Sequence, residues 1–133
     1  TAGVNDIDLF ERHGKEVTEE MLSSFDEAVQ HVKENLHIAE EEFETAAVIT
    51  MTEWEAKVIC RKLKETGVQV SYIDRDSTTF RKGLSVLTFY MAKGLEFDQV
   101  FGVSEMWGTE FAGQAKYICA TRALHELYMY DIK

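Results

Sequence analysis

Apolar positions along this chain follow two rhythms, one of about 3.6 residues and one of two. From Ser24 the pattern is helical: Phe25, Ala28, Val29, Val32 and Leu36 fall on one side of a helix. Ser24 and Glu27 have the spacing of a capping box at its start. The helix is expected to continue toward "AEEEFE" (39–44), where Glu40, Glu41 and Glu42 read as a solvated face. "AAVIT" (46–50) is a continuous apolar run of strand length, the pattern of a strand buried on both faces. Thr52 and Glu55 then supply a second capping box. Trp54, Val58, Ile59 and Leu63 line one side of the helix that follows, and Gly67 ends it.

The second half reads mainly as strands. "VQVSYI" (68–73) alternates and is β-branched, "RDSTTFRKG" (75–83) is a polar connection, and "LSVLTFY" (84–90) is another strand. "QVFGV" (99–103) follows, then a helix around "GQAKYICATRA" (113–123) and a last strand, "ELYMYDI" (126–132). "DIDLF" (6–10) and "KEVTEE" (15–20) are weaker strand candidates. Strands alternating with helices predict an α/β layer fold with a largely parallel sheet and flanking helices. Ligands of such sheets sit outside the carboxyl ends of the strands. "MAKGLEFD" (91–98) directly follows a strand and is expected at that rim.

Composition narrows the picture. With 133 residues, one domain spanning 1–133 is expected, and 45% hydrophobic residues make it globular. No apolar run approaches the roughly 20 residues needed to cross a bilayer, so no membrane partner is expected. Cys60 and Cys119 lie in apolar helical patterns without metal-ligand spacing, and read as buried thiols of a reducing, cytoplasmic setting. His13, His31, His37 and His125 show no ligand spacing either, and read as solvated or partly buried neutral residues. The net charge is −10, and all of it belongs to residues 1–44, which hold 13 Asp/Glu against 3 Lys/Arg. Such acidity argues against a free-standing nucleic-acid binder, though not against a neutral surface that meets nucleic acid within a larger assembly. The chain begins with Thr1, so it is expected to be a processed product or a piece of something longer.

Two stretches carry charge where chemistry could use it. In "MAKGLEFD", Gly94 frees the backbone to approach a ligand, while Lys93 and Glu96 offer a donor and an acceptor. On these residues alone, solvated rim charges with Asp98 capping a turn explain the stretch equally well. In "YICATRALHELYMY" (117–130), Arg122 closes a helix, where a cation is favoured by the macrodipole whatever its function.

Taken together, "VLTFYMAKGLEFDQVF" and "YICATRALHELYMY", with 28 residues from Gly94 to Arg122, closely resemble motifs V and VI of superfamily 1 DNA helicases of the UvrD/Rep/PcrA type. The pattern is nearest the helicase IV and HelD-like branch. The resemblance covers about residues 46–130, with the two motifs inside 84–130 and a weaker echo in "LFERHG". It implies a C-terminal RecA-like domain, of the P-loop-NTPase type but lacking its own P-loop. It further implies that Arg122 is the finger that reaches the γ-phosphate of ATP, that Glu96 contacts the ribose, and that Lys93 and Gly94 shape the loop beside the nucleotide. Thr88 and Tyr90 match positions that lie toward single-stranded DNA. The cofactor implied is ATP with Mg²⁺, with the metal ligands on an N-terminal RecA-like partner domain of the same parent chain.

Departures from the family pattern temper these expectations. Tyr90 stands where the family has a histidine, and "FAGQA" (111–115) replaces a charged segment, so DNA engagement departs further than nucleotide contact. No G-x-x-x-x-G-K-[ST] occurs, and Gly14-Lys15 lacks both the earlier glycine and the following hydroxyl. "DEAVQ" (26–30) is part of the first helix, not a metal motif, and the arginine of motif IV is missing. The chain alone is therefore expected not to hydrolyse ATP. Two rival readings are a motor acting on RNA polymerase and a non-enzymatic module that docks a basic partner through its acidic first helix.

Overall fold

The computed structural model describes residues 16–38, 42–77 and 82–133. Among the described residues, six strands and three α-helices follow one another as β1 (Glu16–Leu22), α1 (Phe25–Asn35), β2 (Thr45–Thr50), α2 (Glu53–Glu65), β3 (Val70–Tyr72), β4 (Gly83–Thr88), β5 (Phe97–Ser104), α3 (Gly113–Arg122) and β6 (Ala123–Ile132). The strands form one sheet in the order β1-β6-β5-β2-β4-β3, and every pairing is parallel. This is the α/β architecture with a parallel sheet and flanking helices expected from the alternation of elements, and the motif resemblance implies that it is RecA-like.

Both faces of the sheet are covered, which is why its central strands are apolar at consecutive positions. In β2, Ala46 and Val48 pack under α1 and α2, while Ala47 and Ile49 pack on the α3 side. In β4, Leu84 and Val86 face the first layer and Leu87 the second. Aromatic rings fill the α1 side, where Phe101 stacks on Tyr128 at 4.6 Å between centroids.

Local signals account for most boundaries. The Ser24 hydroxyl accepts from the Glu27 amide at 3.1 Å, while the Glu27 carboxylate turns to the Ser23 amide, one residue earlier than a reciprocal box requires. Thr52 and Glu55 form the full box, and Gly67, at φ 87°, follows the α2 cap at Thr66.

Four expectations are corrected. The first helix stops at Asn35 and does not run into the glutamates; Leu36 is already extended and Glu42 is exposed. Trp54 is not on the buried side of α2: Glu55, Ala56, Ile59, Cys60 and Leu63 are, and Trp54 is 61% exposed with only an edge contact to Phe25. Phe89 and Tyr90 leave the strand for a 3-10 turn (Phe89–Met91). The last strand begins at Ala123, because α3 passes into it without a loop. "DIDLF", "LFERHG", His13, Gly14-Lys15, Glu40 and Glu41 lie outside the described residues.

Candidate functional site

The connection from β4 to β5 organises the site. These strands lie on either side of β2 and run parallel to it, so the chain leaving Thr88 at the carboxyl end must return to the amino end before Phe97. It has only residues 89–96 in which to descend roughly 20 Å, the length of a six-residue strand. Ala92, fully buried, and Leu95, half-buried, anchor the link in the core on the α3 side. Lys93, Gly94 and Glu96 are left on the outside. Gly94 has φ 83°, which an L side chain rarely adopts.

This geometry corrects the expected position of "MAKGLEFD". Only its first residues lie near the carboxyl ends; Glu96 and Asp98 are at the opposite edge of the sheet. The expected site residues therefore separate into two groups. Thr88 and Tyr90 stand at the carboxyl end of β4, whereas Glu96 and Arg122 stand at the amino ends of β5 and β6. Lys93 and Gly94 occupy the link between them.

At the amino edge, Phe97 of β5 pairs directly with Ala123 of β6. Glu96 and Arg122 each precede that pair by one residue in sequence, so both lie at this amino edge, Arg122 as the last residue of α3. Arg122 ends α3 half-buried, and its Nε donates a long 3.4 Å hydrogen bond to the Thr121 hydroxyl. Neither Arg122, Glu96 nor Lys93 makes an ion pair with another described residue. Asp98 has a structural task. Its Oδ2 accepts from the Glu44 and Thr45 amides at 2.9 and 3.1 Å, and its own amide donates to the Thr45 hydroxyl at 3.0 Å, which pins the heads of β2 and β5 together.

A polar network that the sequence did not reveal backs this edge on the α1 side. Gln99, fully buried, donates to the Asn35 carbonyl and to Glu126, both at 2.8 Å, and accepts from the His37 amide. Glu126 also accepts from the Tyr128 hydroxyl at 2.6 Å. Burial, with the Glu126 carboxylate adding to it, pushes the Tyr128 hydroxyl well above its usual range. The three described histidines are more engaged than solvated residues would be. His31 lies 2.9 Å from Glu20, His37 3.9 Å from Glu126, and His125 3.6 Å from Asp98 while stacking on Phe43.

At the carboxyl edge, Thr88 is 2% exposed and its hydroxyl has no hydrogen-bond partner among the described residues. Tyr90 is 42% exposed and rests edge-on against Phe89. A cavity of about 300 Å³ between β1 and α3, lined among others by Met21, Trp107, Lys116, Met129 and Asp131, includes none of the expected residues. Both cysteines are buried free thiols, as expected.

No family model and no curated protein matches the sequence. Among solved structures, the chain is similar to the C-terminal domain of a possible DNA helicase from Lactobacillus plantarum WCFS1, with 27% identity and a TM-score of 0.72 over 89% of this chain and 73% of that one. It is also similar in fold to the C-terminal domain of the DEAD-box protein Dbp5, at 15% identity and a TM-score of 0.60 over 90% and 77% of the two chains. A third likeness is to an arterivirus nonstructural protein 10 helicase solved with DNA, at 17% identity and a TM-score of 0.56; 90% of this chain covers 29% of that one. The fold is thus that of helicase C-terminal motor domains.

Proposed function

We propose that this chain is the C-terminal motor domain of an ATP-dependent superfamily 1 DNA helicase or translocase. It works against an N-terminal RecA-like domain that contributes the phosphate cradle and the Mg²⁺ ligands. The observation that supports this reading is the Phe97–Ala123 pairing, which brings the segments carrying Glu96 and Arg122 to one edge of the sheet, with neither side chain in an ion pair with a described residue. A planar guanidinium without an ion pair suits a phosphate oxygen, and an exposed carboxylate suits ribose hydroxyls. Lys93 adds a second cation on the link, and Gly94 gives that link its left-handed turn.

In this reading, closure of the two domains brings Arg122 to the γ-phosphate, where it stabilises charge developing in phosphoryl transfer. Opening after hydrolysis withdraws it, and the cycle ratchets the domains along one strand. The strand contacts Thr88 and Tyr90 at the carboxyl edge, the end of the sheet opposite the nucleotide.

ATP hydrolysis by the intact protein that carries this domain tests the proposal. Single-stranded DNA is expected to stimulate the wild type, and Arg122→Ala to lose about 10³-fold or more while still binding nucleotide. Hydrolysis unchanged in Arg122→Ala would overturn the motor reading in favour of an interaction module.

A further inference from the structure

The exposed face of α2 combines charge and aromatic surface. At about 100° per residue, Trp54, Lys57, Arg61 and Lys64 fall within an arc of roughly 80° and form a stripe about 15 Å long. All four are exposed, and none of the three cations is ion-paired with a described residue. Lys62, by contrast, lies toward α1 and is bound to Asp26 at 2.7 Å. In a chain of net charge −10, three free cations on one helix face stand out. A cleft of about 470 Å³ runs beside the stripe and is lined by Lys57, Cys60, Arg61, Lys64, Glu65 and Tyr72. Glu53 and Glu65 are exposed at its two ends and bound the positive segment.

The stripe begins at the carboxyl edge. Thr50, at the end of β2, pairs with Thr88, and α2 starts three residues after Thr50. Tyr90 stands close enough to Tyr72 to help raise the pKa of its hydroxyl, after burial and the charges of Glu53 and Asp74. Trp54, oriented by its edge contact with Phe25 at 5.9 Å, leaves a ring face open to solvent.

We infer that this face of α2 is a track for single-stranded nucleic acid, with a base stacked on Trp54 and backbone phosphates on Lys57, Arg61 and Lys64. The inference rests on the motor reading for the class of ligand. It extends the strand's path from Thr88 and Tyr90 onto the outer surface of the domain. Aromatic rings interleaved with cations suit single strands, whose bases expose π-faces that duplexes hide.

The test is fluorescence anisotropy of a labelled oligothymidine, titrated with the 133-residue chain across a range of salt. A C-terminal helicase domain of this fold has been solved by itself. For the triple variant Lys57→Ala/Arg61→Ala/Lys64→Ala, the slope of log affinity against log salt is expected to shrink by about 2, from roughly 0.7 for each phosphate no longer neutralised. Trp54→Ala is expected to weaken binding roughly 5- to 150-fold with the slope unchanged, the loss of one stacked base. Thermal melting should show both variants folded, since every changed side chain is exposed. A triple variant with wild-type affinity and slope overturns the inference while leaving the motor reading to the Arg122 assay. Binding of polyglutamate without binding of the oligonucleotide also overturns it, and makes the face a dock for an acidic protein.

Discussion

Glu96 and Arg122 lie 26 residues apart in sequence yet each stands one residue ahead of the same register pair, Phe97 with Ala123, at the head of two parallel strands. Parallel neighbours are about 4.8 Å apart, so the two chain segments that carry Glu96 and Arg122 meet at this edge. The two should fail differently in steady-state kinetics of the intact protein. Glu96→Gln is expected to raise KM for ATP several-fold with kcat nearly kept, because a ribose contact holds ground and transition states alike. Arg122→Ala is expected to lower kcat by about 10³–10⁵. Equal effects of both variants on kcat would remove the division of labour.

Gly94 is the turn that lets the β4–β5 link descend the sheet. A Cβ there would meet nothing within 4 Å, so the cost of Gly94→Ala lies in the backbone alone, at φ 83°. A loss of about 1–2 kcal/mol is expected. Gly113 is the control, because it too has open space for a Cβ but already adopts helical angles, φ −52° and ψ −49°. Gly113→Ala should stabilise by up to about 1 kcal/mol. Urea unfolding of both variants gives the comparison, and the same sign for both would refute it.

Glu55 is the one acidic side chain among the described residues that is nearly inaccessible, at 2%. Its carboxylate accepts from the Met51, Thr52 and Glu105 amides and from the Ser104 hydroxyl, so it ties the carboxyl ends of β2 and β5 to the start of α2. Glu55→Gln keeps the shape but turns an NH₂ toward groups that all donate. We expect a loss of about 2–4 kcal/mol, read as a lowered denaturation midpoint with an unchanged m-value. A variant as stable as the wild type would show the network to be dispensable.

Much of this architecture is legible in residue pattern, and the gaps have physical causes. The uninterrupted run 46–50 announces a strand covered on both faces, and Thr52 with Gly67 brackets α2 because both act on their own backbone. Trp54 misleads because its ring counts as apolar wherever it stands, while the buried stripe of α2 is turned toward Glu55, Ala56, Ile59, Cys60 and Leu63. Asp98 is opaque for a different reason: the amides it holds are 53 and 54 residues upstream, and no local pattern encodes them. The direction of the β4–β5 link was equally hidden. Its length is visible in the sequence, but only the strand order shows that it must run back to the amino edge. The motif resemblance links Glu96 with Arg122; the Phe97–Ala123 register shows that both lie at one edge of the sheet.

Alkaline pH should expose the buried acids of the core. Cys119 is fully buried among apolar side chains, and burial lifts its thiol far above the ordinary 9.0. Burial also lifts Tyr128 and Tyr130 above the ordinary 10.0, helped by Glu126 for the first and Glu20 for the second. In the unfolded chain these groups lose their protons near the ordinary values, whereas the folded chain keeps them. The unfolded state then binds fewer protons, so stability falls as pH rises. Their stabilising contribution is whole below the unfolded values and is lost above them, at up to about 1.4 kcal/mol per group and pH unit. Burial also raises the Cys60 thiol, so denaturation midpoints should hold steady on rising from neutrality and fall beyond pH 9.0, first through Cys119 and Cys60. Cys119→Ala should reduce the first part of that fall, leaving the share of Cys60 and the later, tyrosine part. A wild-type midpoint that does not fall between pH 9.0 and 10.0 would show that the Cys119 thiol ionises as readily in the fold as outside it.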